Sequence, residues 1–192
     1  MFRPNIVKTK NMNTYIVLLR GVMPTGKNKI PSMAFLKEIL GKGGFVNVKT
    51  YIQSGNVVLQ TELSPAEVSR KVHELIKENI GAELPVIVKT ADEIAQVLSE
   101  NPFTENHDSK RVFFTLFNDE LPQAMANELK KQDFGEEKFD FSEKALYMYL
   151  PKDASRSKLS NNFLEKKLKI IATTRNLNTL TKLVALAEEM GN

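Results

Sequence analysis

One succession of elements occurs twice in this chain, and that duplication restricts the available folds more than any other feature. TYIVLLR (14–20) is a continuous apolar run rich in β-formers, which predicts a strand buried on both faces. Pro31-Ser32 then opens a helix whose Met33, Leu36, Ile39 and Leu40 share one face, and Gly43-Gly44 ends it. VNVKTYIQ and VVLQT, joined through Ser54-Gly55-Asn56, predict a hairpin. Ser64, Pro65 and Glu67 supply an N-cap, a proline at the first helical position and a capping-box glutamate for a helix reaching about Asn79. PVIVKT (85–90) predicts a strand, and ADEIAQVLSE a short helix stopped by Asn101-Pro102. The same order then recurs. KRVFFTLF (110–117) is a strand, Leu121-Pro122 opens a helix, and EKFDFSE with ALYMYLP forms a second hairpin. KLSNNFLEKKL is a helix, KIIATT a strand, and NLNTLTKLVALAEEM a last amphipathic helix.

Each half therefore reads β-α-β-β-α-β-α, although the letters of the two halves do not match. The β-α-β-β-α-β core is the split βαβ, or ferredoxin-like, arrangement, an antiparallel sheet with two helices on one face. Several strands are apolar on both faces, so the other sheet face also needs cover, from the extra helix of each half or from the other half. The expected fold is α+β: a tandem of two ferredoxin-like units packed together. Residues 1–12 read as a tail, 13–100 as the first unit, 101–110 as a linker and 111–192 as the second unit. MNTYIVLLRG, from Met12, reads as the original start of the protein.

Composition excludes several chemistries. Without cysteine there is no thiolate catalysis, disulfide or cysteine-based zinc site. No apolar run reaches membrane-spanning length, and MFRPNIVKTKN lacks the apolar core of a signal peptide, so a cytoplasmic protein with no membrane association is expected. The formal charge of +4 is mostly in the tail, where Arg3, Lys8 and Lys10 lie; beyond it 24 Lys and Arg face 23 Asp and Glu. One cationic neighbourhood survives: Arg20, Lys27, Lys29 and Lys37 all precede the first acidic residue, Glu38. His73 and His107 have no ligand-spaced partner and read as solvated, while Glu136-Glu137 and Glu188-Glu189 are adjacent pairs that splay apart. Neither a metal nor a cofactor is expected, and no residue stands out as a general base or nucleophile.

RGVMPTGKNK (20–29) has the G-x-x-x-x-G-K spacing of a phosphate-binding P-loop from Gly21 to Lys27. Three requirements of that loop are missing. Asn28 stands where a hydroxyl should ligate magnesium, the helix begins only after Pro31-Ser32, and a hairpin follows instead of a strand ending in Asp. Gly21, Pro24, Gly26 and Asn28 are turn formers that suit a plain connection, yet the loop is long and carries three cations.

The stretch LLRGVMPTGKNKIPSMAFLKEILGKGGFVNVKTYIQSGNVVL, with TTRNLNTLTKL (173–183), resembles the bacterial family labelled domain of unknown function 1697. That family's pattern is LLRGINVGGKNK, a helix, then a GF-x-x-V-x-TYIQSGNV hairpin and a TTRN-x-N-T segment. Arg20, Gly21, Gly26, Lys27, Asn28 and Lys29 match the pattern, whereas Met23-Pro24-Thr25 depart from it. The resemblance implies two ferredoxin-like units in tandem. It implies no reaction, and whether the protein is an enzyme stays open.

Three marked segments result: the loop 20–29, the hairpin tip Gln53-Ser54-Gly55-Asn56 with the preceding Tyr51, and Thr174-Arg175-Asn176. Each lies at a strand end. Together they offer cations, amide donors and backbone N–H groups, the inventory of a cleft for a small anion or phosphorylated ligand. The expected ligand-binding residues are Arg20, Gly21, Gly26, Lys27, Asn28, Lys29, Tyr51, Gln53, Ser54, Asn56, Thr174, Arg175 and Asn176. An alternative is single-stranded nucleic acid, specifically RNA, stacked on the alternating aromatics Phe113 and Phe117 or Tyr147 and Tyr149. A further alternative is a non-catalytic interaction module that docks a partner through the C-terminal leucine stripe. That stripe better suits closure of the protein's own core.

Overall fold

The computed structural model of the protein describes residues 12–191, so the tail reading falls almost wholly outside it. Strand β1 (Asn13–Leu19) shows how the double-sided apolar pattern is used. Successive side chains of a strand point to opposite faces. Tyr15, Val17 and Leu19 enter one core cluster and Ile16 and Leu18 another. The next elements of the first unit are α1 (Met33–Lys42), β2 (Val46–Tyr51), β3 (Asn56–Thr61), α2 (Pro65–Ile80), β4 (Val86–Lys89) and α3 (Ala91–Ser99). The second unit contains β5 (Val112–Phe117), α4 (Gln123–Lys130), β6 (Lys138–Phe141), β7 (Ala145–Tyr149), α5 (Asn161–Leu168), β8 (Ala172–Asn176) and α6 (Leu177–Gly191).

Each unit builds a four-stranded antiparallel sheet, in the orders β2-β3-β1-β4 and β6-β7-β5-β8. These are corresponding orders, and the expected α+β pair of similar units is the observed architecture. Helices α1 and α2 cover the outer face of the first sheet through Leu36, Leu40, Val68, Val72 and Ile76. Helices α4 and α5 cover the outer face of the second through Ala126, Leu129, Leu164 and Leu168. The inner faces share a middle core, where Ile16, Leu18 and Val58 meet Phe114, Leu116 and Tyr147 together with Ile94 of α3 and Leu180 and Leu183 of α6. The C-terminal leucine stripe thus closes the protein's own core. Each such aliphatic side chain contributes about 1.5–3 kcal/mol on full burial, so the shared layer joins the units strongly.

Local signals act as expected at several boundaries. Ser32 caps α1 by accepting from the Phe35 N–H at 3.1 Å. Ser64 and Glu67 close a capping box at α2. A second box, Thr90 with Glu93, starts α3. One boundary differs from the sequence reading. KIIATT predicts a strand over 169–174, whereas β8 begins at Ala172. Lys169 ends α5 in a left-handed conformation, with φ of 54°, so the chain leaves the helix without extending at once. Ile171 is then left exposed.

The region 101–110 is more embedded than a polar linker suggests. Phe103 is buried in the middle core, and His107 stacks edge-on against Tyr149 with ring centroids 4.6 Å apart. Neither histidine is simply solvated, contrary to the expectation from spacing alone. His73 Nδ1 lies 2.9 Å from the Leu84 carbonyl and His107 Nδ1 2.8 Å from that of Glu105. Among the described residues no helix is long and apolar enough to cross a membrane.

Candidate functional site

The loop after β1 folds back on itself instead of leading into a helix. The Met23 N–H donates to the Asn28 carbonyl at 3.0 Å and the Lys29 N–H to that of Gly26 at 3.2 Å. Gly21 and Gly26 both adopt φ of 79°, conformations that L side chains resist. Helix α1 starts only at Met33. Its N-terminus therefore does not sit beside Lys27, as a P-loop requires. Instead Lys27 and Lys29 line a groove of about 610 Å³ with Phe35 and with Asn79–Gly81 at the end of α2.

The hairpin tip 52–55 is bound tightly to that loop. The Leu19 N–H donates to the Gly55 carbonyl at 2.9 Å, and the Gln53 amide donates to the Ile30 carbonyl at 3.3 Å. Asn56 is wholly buried, and its Nδ2 donates to the Tyr51 carbonyl at 3.1 Å and to Ser54 Oγ at 2.9 Å. Gly55 is required there. It has φ of +75°, and a Cβ on it would stand 2.7 Å from Val22 Cγ2 and 2.8 Å from Leu19 Cβ.

Arg175, from β8 of the second unit, reaches into this assembly. Its Nε donates to Asn56 Oδ1 at 2.6 Å. Nη1 donates to Thr173 Oγ1 at 2.7 Å and to the Thr174 carbonyl at 2.8 Å. Nη2 donates to the carbonyls of Leu19 at 2.9 Å and Ser54 at 3.1 Å. A guanidinium has five N–H groups, and here each has its own neutral acceptor. Among the described residues no carboxylate is bonded to Arg175, and desolvation lowers its pKa to about 10. It stays protonated at neutral pH.

Arg20 makes a second tie across the same seam. Its Nε and Nη2 donate to Glu165 of α5 at 3.2 and 2.7 Å, and Nη2 also donates to Asn162 Oδ1. Burial pushes the Glu165 carboxyl up, but the bonds from Arg20 and from the Ala172 N–H outweigh it and hold the group below its ordinary value. The Glu165 partner raises Arg20 in turn.

Beside Arg175 lies a groove of about 460 Å³ between the hairpin tip and the second unit. Among the described residues that line it, Arg175 is the one charged group. Three polar lining residues each accept one hydrogen bond and have a donor left over. Ser54 Oγ accepts from Asn56, Ser160 Oγ accepts from the Phe163 N–H at 3.3 Å, and Asn176 Oδ1 accepts from the Thr179 N–H at 2.8 Å. The two hydroxyl hydrogens and the Asn176 amide N–H groups have no partner among the described residues. Thr174, also in the wall, donates to Asn161 Oδ1 at 2.9 Å and meets Thr115 Oγ1 at 2.7 Å.

The marked segments therefore divide. Arg20, Gln53, Ser54, Asn56, Thr174, Arg175 and Asn176 gather along the seam, where Gly21 lies just beyond Arg20, next to the side chain of Asn28. Gly26, Lys27 and Lys29 line the other groove, and Tyr51 packs against the middle core. Sequence reasoning missed Glu165 and Asn162, which anchor Arg20, and Ile52 and Ser160, which line the seam groove. For Ser160 the signal was present, as a serine three residues before the N–H that it caps. The aromatic alternation does not produce an open stacking face. Phe117 and Tyr147 are buried, and Tyr147 packs edge-on against Phe114.

A larger groove of about 640 Å³ runs along the edge strand β4. There the Asn118 side chain completes the sheet edge, donating to the Val86 carbonyl at 2.8 Å and accepting from the Val88 N–H at 3.0 Å. Its cations Arg70 and Lys89 are opposed by Glu93 and Asp119, so it favours neither sign of ligand. Desolvation lowers Lys89, against the pull of Glu93.

A conserved bacterial protein from Streptococcus pneumoniae has a similar structure, with a TM-score of 0.72 and 20% sequence identity over 92% of this chain and 99% of that one. At that identity the likeness concerns the fold. No curated protein matches this chain. The model of a protein family of unknown function, DUF1697, matches residues 12–147, which include both the loop 20–29 and the hairpin tip, and the chain belongs to that family.

Proposed function

We propose that the seam groove binds a small anion or the anionic group of a phosphorylated ligand. One observation carries this reading: Ser54, Ser160 and Asn176, each with a donor that has no partner among the described residues, line a groove whose one charged lining residue is Arg175. A ligand rich in acceptors and negatively charged complements such a wall. Arg175 acts by its field, because its own donors are already committed. Hydrogen bonds from neutral donors to a charged ligand are each worth roughly 1.5–3 kcal/mol, so the three together support a modest affinity without a further cation. Binding does not require chemistry. The RNA alternative has less support, because Phe117 and Tyr147, one member of each alternating pair, are buried and only Phe113 of the four lines the groove.

Calorimetric titration with inorganic phosphate and sulfate tests the reading, with Asn176→Asp as the variant. Aspartate caps a helix as well as asparagine does, so the fold is kept while the donor becomes a carboxylate. Saturable binding to the parent protein that weakens at least about tenfold in the variant supports the reading. Equal binding to both proteins, or none to either, contradicts it. Single-stranded RNA serves as a parallel ligand, and a salt-dependent complex with it would favour the alternative.

A further inference from the structure

Ile52 combines two features that ordinarily exclude each other. It is a β-branched residue in the left-handed region, with φ of +49°, and 52% of its surface is exposed. A β-branched residue in that region is a genuine conformational outlier, held only where its surroundings over-determine the backbone. The surroundings here do so. Gln53 is bonded to Ile30, the Ser54 carbonyl to Arg175, the Gly55 carbonyl to Leu19, and the Tyr51 carbonyl to Asn56. Glycine or asparagine would meet the same φ with less strain. Isoleucine returns little through packing, since half of it faces water. Ile52 lines the seam groove together with Phe113 and Met148, cross-strand partners on β5 and β7.

The groove is thus lined both by polar groups beside a positive charge and by apolar side chains, the exposed Ile52 among them. Resting on the anion-binding reading, we infer that its ligand is an organic anion with a flat or compact apolar body, and that Ile52 is the residue selecting that body. The anionic group faces Ser54, Ser160 and Asn176, and the apolar body lies between Ile52 and Phe113. An inorganic anion has no apolar part to place against Ile52 and Phe113. A polyanion with no apolar part leaves the Ile52 side chain in water, as it is in the free protein.

The test compares phenyl phosphate with inorganic phosphate on the parent protein and on Ile52→Gly. Phenyl phosphate is expected to bind the parent about tenfold more tightly than inorganic phosphate. Ile52→Gly is expected to remove that preference, to leave inorganic phosphate within about twofold of the parent, and to raise the melting temperature by relieving the backbone. Ile52→Asn, which also tolerates the left-handed region, gives the same result without glycine's added chain freedom. If phosphate binds the parent but phenyl phosphate binds no better, or if both Ile52 variants keep the preference, this inference is overturned and the anion site stands. If neither ligand binds the parent, the anion-binding reading fails and this inference fails with it.

Discussion

Arg175 Nε and Asn56 Oδ1 lie 2.6 Å apart across the boundary between the two sheets, although 119 residues separate them in the chain. Through this bond the buried end of one hairpin and the last strand of the other unit become a single polar assembly. Asn56→Ala leaves the Arg175 Nε–H without an acceptor and is expected to cost about 1–3 kcal/mol. Arg175→Met removes a desolvated charge but orphans acceptors at Leu19, Ser54 and Asn56, for an expected loss of roughly 2–4 kcal/mol. Because both act on one bond, their effects in urea unfolding should be sub-additive, with a coupling of about 1–3 kcal/mol in the double-mutant cycle. Additive losses would show that the pair does not interact as the structure has it.

Glu165 gives the seam an acid dependence. Its folded pKa is lowered, so the folded state binds the proton less readily than the unfolded chain. The stabilisation is present above the ordinary carboxylate value and is lost as pH falls through the lowered folded value. Glu165→Gln is accordingly expected to be less stable than the parent at about pH 6–7 and to converge with it as pH falls through the lowered folded value. Urea midpoints measured across that range check this. A gap that persists unchanged at low pH contradicts it.

Gly55 and Gly81 separate backbone strain from crowding. Both have positive φ, but nothing lies within 4 Å of a Cβ placed on Gly81, whereas one on Gly55 collides with Val22 and Leu19. Gly81→Ala should cost about 1–2 kcal/mol from the left-handed conformation alone. Gly55→Ala should cost roughly 2–4 kcal/mol and loosen the loop that starts at Arg20. Comparable thermal stability for the two variants would contradict the tight docking of the hairpin tip.

Tyr147 should titrate late. Burial pushes its hydroxyl up to about 12, and the nearby Glu100 carboxylate, 3.3 Å from the hydroxyl, adds to the effect. The folded state holds this proton more firmly than the unfolded chain, so the contribution is full below about pH 10 and is lost as pH rises toward 12. Absorbance titration at alkaline pH should show a late-ionising tyrosine that disappears in Tyr147→Phe. An unchanged titration curve in that variant would contradict the assignment.

Much of the fold was legible because its determinants are local. Ser64, Pro65 and Glu67 specify a helix start within four residues, and the double-sided apolar strands correctly demanded cover on both faces. The start of β8 was not legible, since the left-handed Lys169 carries no sequence mark of its conformation. The seam was harder still. Arg175 bonds to Leu19 over 156 residues and Arg20 to Glu165 over 145, and no spacing rule anticipates such pairs. The marked residues pointed toward this junction, but not to its division of labour. Asn56 and Arg175 hold the units together, whereas Ser54, Ser160 and Asn176 keep donors free. Lys27 and Lys29, which looked like part of the same site, face another groove.

The most direct measurement is an NMR titration of the full chain with inorganic phosphate, followed through the side-chain amide of Asn176 and the backbone amides of Ser54 and Ser160. Binding in the seam groove predicts saturable shifts in these three residues with a common midpoint, and small changes at Lys27 and Lys29. Shifts confined to Lys27 and Lys29, or no saturable shift at Ser54, Ser160 and Asn176, would contradict it.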